Sequence, residues 1–271
     1  MDVYRLFKLM SDRSSHNKRI AKNTLFLYLR MGLVLVVSLF STRVVLQALD
    51  IEDYGINNVV SGFVTMFAFL NTSMSNGVQR FYNFSLGRKN GYSIKDVYNT
   101  ALQIQAILAV TLLVPLETFG MWYIHTQMVI PIDRFAAAQW VFQFSVLSLV
   151  LLVLQIPYSA AIMAYEKMDY YAYLSIFDVL AKLGIAYIIK YTTFDKLILY
   201  GALNMLVSLI CFFLYYGYAK SHFQDLKSDF IIRKQLFKPM LYFSGWNGFG
   251  SFAYMIKSQG LNMLLNVFFG P

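Results

Sequence analysis

Asp178 and Lys182 stand four residues apart inside an apolar run, "LSIFDVLAKLGIAYIIK" (174–190). On a helix, a carboxylate and an ammonium at this spacing reach each other. Tyr171 and Ser175 fall on the same face. If the helix enters a bilayer near residue 170, Asp178 lies about 12 Å in and Lys182 one turn deeper. A charge in hydrocarbon costs about 2.5–3.5 kcal/mol on insertion scales, so such a pair either locks two helices together or belongs to a functional site.

Other deep polar residues follow the same logic. "TLFLYLRMGLVLVVSLFSTRVVLQAL" (24–49) carries Arg30 and Arg43 in an otherwise oily stretch. Arg43 lies near one end and reads as an interface anchor, whereas Arg30 shares its face with Asn23 and Ser41 and reads as facing a cavity. Between 56 and 86, Asn58, Ser61, Thr65, Thr72, Asn76, Gln79 and Asn83 recur at three, four or seven residues, with Arg80 beside them. This spacing predicts a polar stripe along one helix, either a packing face or the wall of a wet cavity. Tyr200, Asn204, Ser208, Cys211 and Tyr215 repeat the pattern, and Lys257 sits among Ser258, Gln259 and Asn262. The deep charges are then Arg30, Arg80, Lys182 and Lys257 against Asp178. A cationic cavity calls for an anion, and phosphate or pyrophosphate suits Arg through paired hydrogen bonds. The neighbouring Tyr and Asn residues suit sugar rings and hydroxyls. Arg30, Asn76, Gln79, Arg80, Asp178, Lys182 and Lys257 are accordingly the candidate substrate-binding residues.

The elements that hold these residues follow from composition. Only 14% of the 271 residues are charged, 58% are hydrophobic and mean hydropathy is +0.52. A soluble domain is roughly a quarter charged, so the deficit, with apolar runs near 20 residues, predicts an all-α polytopic membrane bundle. Six complete spans are expected at 24–48, 56–86, 97–123, 136–165, 170–190 and 195–218, and a seventh at 240–270. Pro115 and Pro157 fall inside the third and fourth and are expected to bend them. The connections on one side hold fifteen Lys and Arg, those on the other only Arg134, Lys190 and Lys196. This asymmetry places the N-terminus in the cytoplasm. The net charge of +9 is therefore read as loop charge rather than as a nucleic-acid signal.

Four regions result: a basic cytoplasmic N-terminus (1–23), a six-span lobe (24–218), an amphipathic cytoplasmic linker (219–239) and the first span of a second lobe (240–271). Phe223, Leu226, Phe230 and Phe237 predict that the linker is an amphipathic helix on the membrane surface. An odd seventh span ending at "FFGP" reads as a truncated chain. The single cysteine, Cys211, excludes an internal disulfide, and three scattered histidines make no metal-ligand spacing. No cofactor motif is present.

Three stretches carry a family resemblance: "NTLFLYLRMGLVLVVSLFSTRVVLQALDIEDYGINNVVSGFV" (23–64), "QRFYNFSLG" (79–87) and "IPYSAAIMAYEKMDYYAY" (156–173). They resemble the polysaccharide flippases of bacterial inner membranes, the O-antigen or lipid-linked-oligosaccharide transporters of the multidrug/oligosaccharidyl-lipid/polysaccharide exporter superfamily. The resemblance implies one six-helix lobe plus the first helix of a second, around a central cationic cavity that includes Arg30. It implies alternating access, with an undecaprenyl-pyrophosphate-linked glycan moved across the bacterial inner membrane for lipopolysaccharide or other surface polysaccharide. Membrane lipids and a coupling ion, proton or sodium, are the other implied partners. Two alternatives stand beside it. A drug or cation antiporter of the same superfamily predicts an anionic cavity, opposite to the deep charge here. A membrane glycosyltransferase or polymerase predicts a sizeable outer loop with carboxylates or Arg clusters, where these connections are short. The expectation is a transporter rather than an enzyme.

Overall fold

The computed structural model describes residues 3–87, 91–126, 128, 130–226 and 234–269, with side chains between 21 and 253. Among the described residues the chain is helical and contains no strand. The helices are α1 (Val3–Thr65), α2 (Ala68–Leu86), α3 (Ile94–Pro115), α4 (Met121–Thr126), α5 (Phe135–Ala164), α6 (Met168–Lys190), α7 (Lys196–His222) and α8 (Lys234–Phe269). Among the described residues, five segments are long and apolar enough to cross a membrane: Asn23–Gly62, Ile94–Thr126, Ile132–Ala164, Met168–Lys190 and Lys196–His222.

The first expected span and the start of the second are one helical element, α1, bent at Asp50 (φ 65, ψ 168). The bend is a reversal. Arg30 and Thr65 line one cavity, yet a straight helix would hold them about 52 Å apart at 1.5 Å per residue. This combination of φ and ψ is almost confined to glycine, so Asp50 is a strained position held by the packing around it. The rest of the second expected span is a separate helix. The amide of Phe67 bonds the carbonyl of Val64 at 3.1 Å in a tight turn, and α2 starts afresh at Ala68. With Asn71, Thr72, Ser73, Ser75, Asn76, Gln79 and Arg80, α2 is too polar to count among the apolar segments.

Prolines act as their chemistry requires. Pro115 ends α3, and a π turn (Leu116–Gly120) carries the helix on into α4. Pro157 lies in the 30-residue α5, and its carbonyl accepts a bond from the Tyr82 hydroxyl at 3.3 Å. The α5–α6 turn closes with the amide of Lys167 on the Ile162 carbonyl and that of Glu166 on Met163, both at 3.0 Å. This helix stop normally places glycine where Glu166 sits at φ 57. The linker departs from the expected amphipathic helix. Helix α7 runs to His222, Phe223 and Leu226 are buried outside any helix, and α8 begins at Lys234, while 227–233, with Phe230, lie outside the described residues.

Helix α5 is central, packing against α1, α2, α3, α6 and α7. Two apolar clusters result. One, at the Asp50 end, includes Leu49, Leu116, Ile124, Phe142, Ile189 and Leu197; the other, at the Glu166 end, includes Tyr82, Tyr98, Ile156, Ile162, Leu226 and Met240. Small residues let α8 lie close on α2. A Cβ on Gly77 would collide with the Ser244 hydroxyl, and the Ser73 and Ser251 hydroxyls are 3.3 Å apart.

The Asp50 end is tied by one guanidinium. Arg134 bonds Asp53 at 2.9 Å and Asp195 at 2.7 Å. Asp195 also accepts from the amides of Leu197 and Ile198, capping α7. Three connections are thereby pinned together, and the Asp53 side chain is only 5% exposed. Arg134→Met strands that carboxylate and is expected to cost about 2–3 kcal/mol, with most of the loss recovered by adding Asp53→Asn. Thermal unfolding in detergent, followed with a thiol-reactive dye at Cys211, measures both. Equal losses in the single and double variants would show that the stranded Asp53 charge is not the source of the loss.

Candidate functional site: a polar cavity inside the bundle

Both arms of α1 join α5, α6 and α7 around a cavity of about 680 Å³. Its polar lining has a simple origin. A hydroxyl inside a helix donates to the carbonyl one turn back, which satisfies its proton and leaves its oxygen lone pairs free. Ser148 does this to Phe144 at 2.8 Å, Ser175 to Tyr171 at 2.8 Å and Ser208 to Asn204 at 3.1 Å. The Asn204 amide donates to the Tyr200 carbonyl at 2.8 Å. Ser61 on the second arm of α1 lies 3.1 Å from Ser145 on α5 and donates to Asn57 at 3.3 Å. The wall therefore presents mostly oxygen acceptors on a rigid frame.

Three described lining residues carry charge. Lys182 donates to Asp178 at 2.8 Å along α6. The two side chains are 44% and 32% exposed, so the pair contributes at most about 1 kcal/mol to stability. Arg30, from the first arm of α1, sets its guanidinium 4.6 Å from the centre of the Tyr171 ring. That contact is a cation–π interaction across the α1–α6 interface. The Nε of Arg30 is buried and has no hydrogen-bond partner.

The structure thus brings Arg30, Asp178 and Lys182 together and separates the other candidates. Arg80 is exposed on α2, packed by the rings of Phe243 at 4.0 Å and Phe84 at 5.1 Å. Asn76 is exposed and Gln79 half-buried, and neither lines the cavity. Lys257 lies outside the described residues. The expected four-cation pocket is corrected accordingly: Arg80 is not part of it. The physical cause is the break at Met66–Phe67. A stripe read at helical spacing through that break does not stay on one face. Ser61 and Thr65 face the cavity, whereas Thr72, Asn76, Arg80 and Asn83 are exposed because α2 turns Ser73 and Gly77 to α8. Arg43 is exposed, and Glu117 accepts from Gln143 at 2.9 Å.

All nine polar positions read from the faces of α6 and α7, from Tyr171 to Tyr215, line the cavity. The α5 wall was missed. Ser145, Ser148, Leu152 and Gln155 lie at steps of three, four and three, a signal weakened by the apolar residues around it. Asn57, rather than its neighbour Asn58, is the lining amide.

Compared with known proteins, the chain matches no family model, no curated protein and no solved structure. Among the described residues, fold and site together define an all-helical protein with five segments suited to a membrane, built around an open-sided cavity lined by both apolar and polar side chains.

Cys211, the chain's only thiol, lines this cavity and reports access to it. Ser145→Trp is expected to slow alkylation of Cys211 by a small hydrophilic reagent about tenfold or more, since thiol reactivity follows access. Asn76→Trp, on the outward face of α2, is expected to leave the rate unchanged. Equal effects of the two would show that reagent does not travel through the cavity.

Proposed function

We propose that this protein translocates a polyprenyl-pyrophosphate-linked oligosaccharide across the bacterial inner membrane by alternating access, for surface polysaccharide assembly. The observation that carries the reading is the cavity itself: hydroxyls, amides and Arg30 beside the Lys182–Asp178 pair, lining an open-sided space between helices that are apolar outside. The physical task fits it. A hydrated sugar headgroup cannot enter hydrocarbon, but it can pass through a polar chamber while its isoprenoid tail stays in lipid. The apolar cluster and the Arg134 tie close the bundle at the Asp50 end. In this reading that end faces outward, as the Lys and Arg asymmetry of the connections suggests, and the N-terminus is cytoplasmic. Residues 24–218 then form one six-span lobe, and α8 begins the second. Arg30 and Lys182 serve as the polar hands of the chamber, and Asp178 holds Lys182 in place and provides a group able to exchange a proton during the cycle. The excess of positive charge among the lining residues speaks against a cation as cargo.

In cells that depend on this protein for surface glycan, Arg30→Ala and Lys182→Ala are each expected to reduce export by about tenfold or more, because each removes a charged hydrogen-bond donor. The lipid-linked precursor is expected to accumulate, and the protein to insert at normal level. Surface glycan and inner-leaflet precursor, measured together, check this. Normal glycan in both variants would overturn the assignment of the cavity to transport.

A further inference from the structure

We infer that the cavity is a subsite for a sugar unit bearing one negative charge, a uronic-acid-type carboxylate, and that the diphosphate of the carrier lipid is held elsewhere. The inference rests on the transport reading and names the part of the cargo this chamber takes. Its first support is a charge balance. Of the three charged lining residues among those described, Lys182 is already neutralised by Asp178 at 2.8 Å, which leaves Arg30 as the one uncompensated cation among them. A diphosphate would bring at least one further negative charge into an apolar bundle with nothing to meet it. A single carboxylate balances Arg30.

The second support is the state of Arg30. Its guanidinium carbon lies 4.6 Å from the centre of the Tyr171 ring, and its N–H groups donate in the plane of the group. Its Nε is buried without a partner and out of reach from the cavity, so an acceptor in the cavity would be met by the two terminal nitrogens. A planar carboxylate matches that fork with two parallel bonds. The third support is the remainder of the wall. Ser61, Ser145, Asn204 and Ser208 offer the neutral acceptors and donors that ring hydroxyls need. The Lys182–Asp178 pair is itself open enough, at 44% and 32%, to bond hydroxyls with its unused atoms. At about 680 Å³, the volume falls within the range of about 300–1,000 Å³ typical of small-molecule sites, which suits a sugar unit or two rather than a whole oligosaccharide.

Protection of Cys211 from alkylation, in the full chain purified in lipid nanodiscs, tests this with defined probes. Glucuronate is expected to protect at concentrations about tenfold lower than glucose, through its charge-assisted bonds. Inorganic pyrophosphate is expected to protect poorly. Arg30→Gln should bring glucuronate down to the level of glucose, and Arg30→Lys should keep part of the preference, which guards against a folding artefact. Pyrophosphate protecting as well as glucuronate overturns the inference, as does equal protection by glucose, an unchanged preference in Arg30→Gln, or no protection by any probe. The readout is separate from export. Failed protection with normal Arg30- and Lys182-dependent export removes this subsite and leaves transport standing; the reverse removes transport and leaves an acidic-sugar site.

Discussion

A charged side chain inside an apolar bundle must meet water, a partner or both, and much of this structure follows from how three charges do so. The chain reverses at Asp50 and lays the second arm of α1 beside the first. With that reversal, four walls close around a common space, and Arg30 gains the Tyr171 ring, while Asp178 and Lys182 face the same chamber. Polar groups on α5, α6 and α7 satisfy their protons on their own helices and turn their remaining valence inward.

The two ends of the bundle are built differently. At the Asp50 end, Arg134 ties the α1 reversal to the starts of α5 and α7 across a buried carboxylate. At the Glu166 end aromatic rings stack: Tyr165 on Phe223 at 4.1 Å, and Tyr170 on Tyr218 at 3.6 Å. An ion pair is directional and fails when one partner is displaced, whereas stacked rings can slide.

How much of this was legible in the sequence differs from element to element. The faces of α6 and α7 were readable because each is one uninterrupted helix, so residues three and four apart stay neighbours: Asp178 with Lys182, Asn204 with Ser208. The stripe on 56–86 misled because periodicity presumes a continuous helix, and nothing in "SGFVTMFAFLNT" (61–72) announces a break by glycine–proline chemistry. The α5 wall was hidden for a different reason. A long helix that contacts five others is apolar almost all round, and a few serines and a glutamine do not raise a visible stripe against that background.

Composition and charge alone determined that this is an apolar helical protein with ionisable residues inside runs long enough to cross a membrane, since few polar residues exist to cover a soluble surface and the apolar runs match bilayer thickness. They also determined the Asp178–Lys182 pair, because four residues on a helix bring two side chains together whatever surrounds them. Only the tertiary structure decided which cations share a chamber. Arg30 and Lys182 are about 150 residues apart in sequence and meet through the Asp50 reversal, whereas Arg80 is excluded by the turn of α2 toward α8. Long-range proximity depends on how helices cross, and that is set by small-residue contacts and packing volumes that no local pattern encodes.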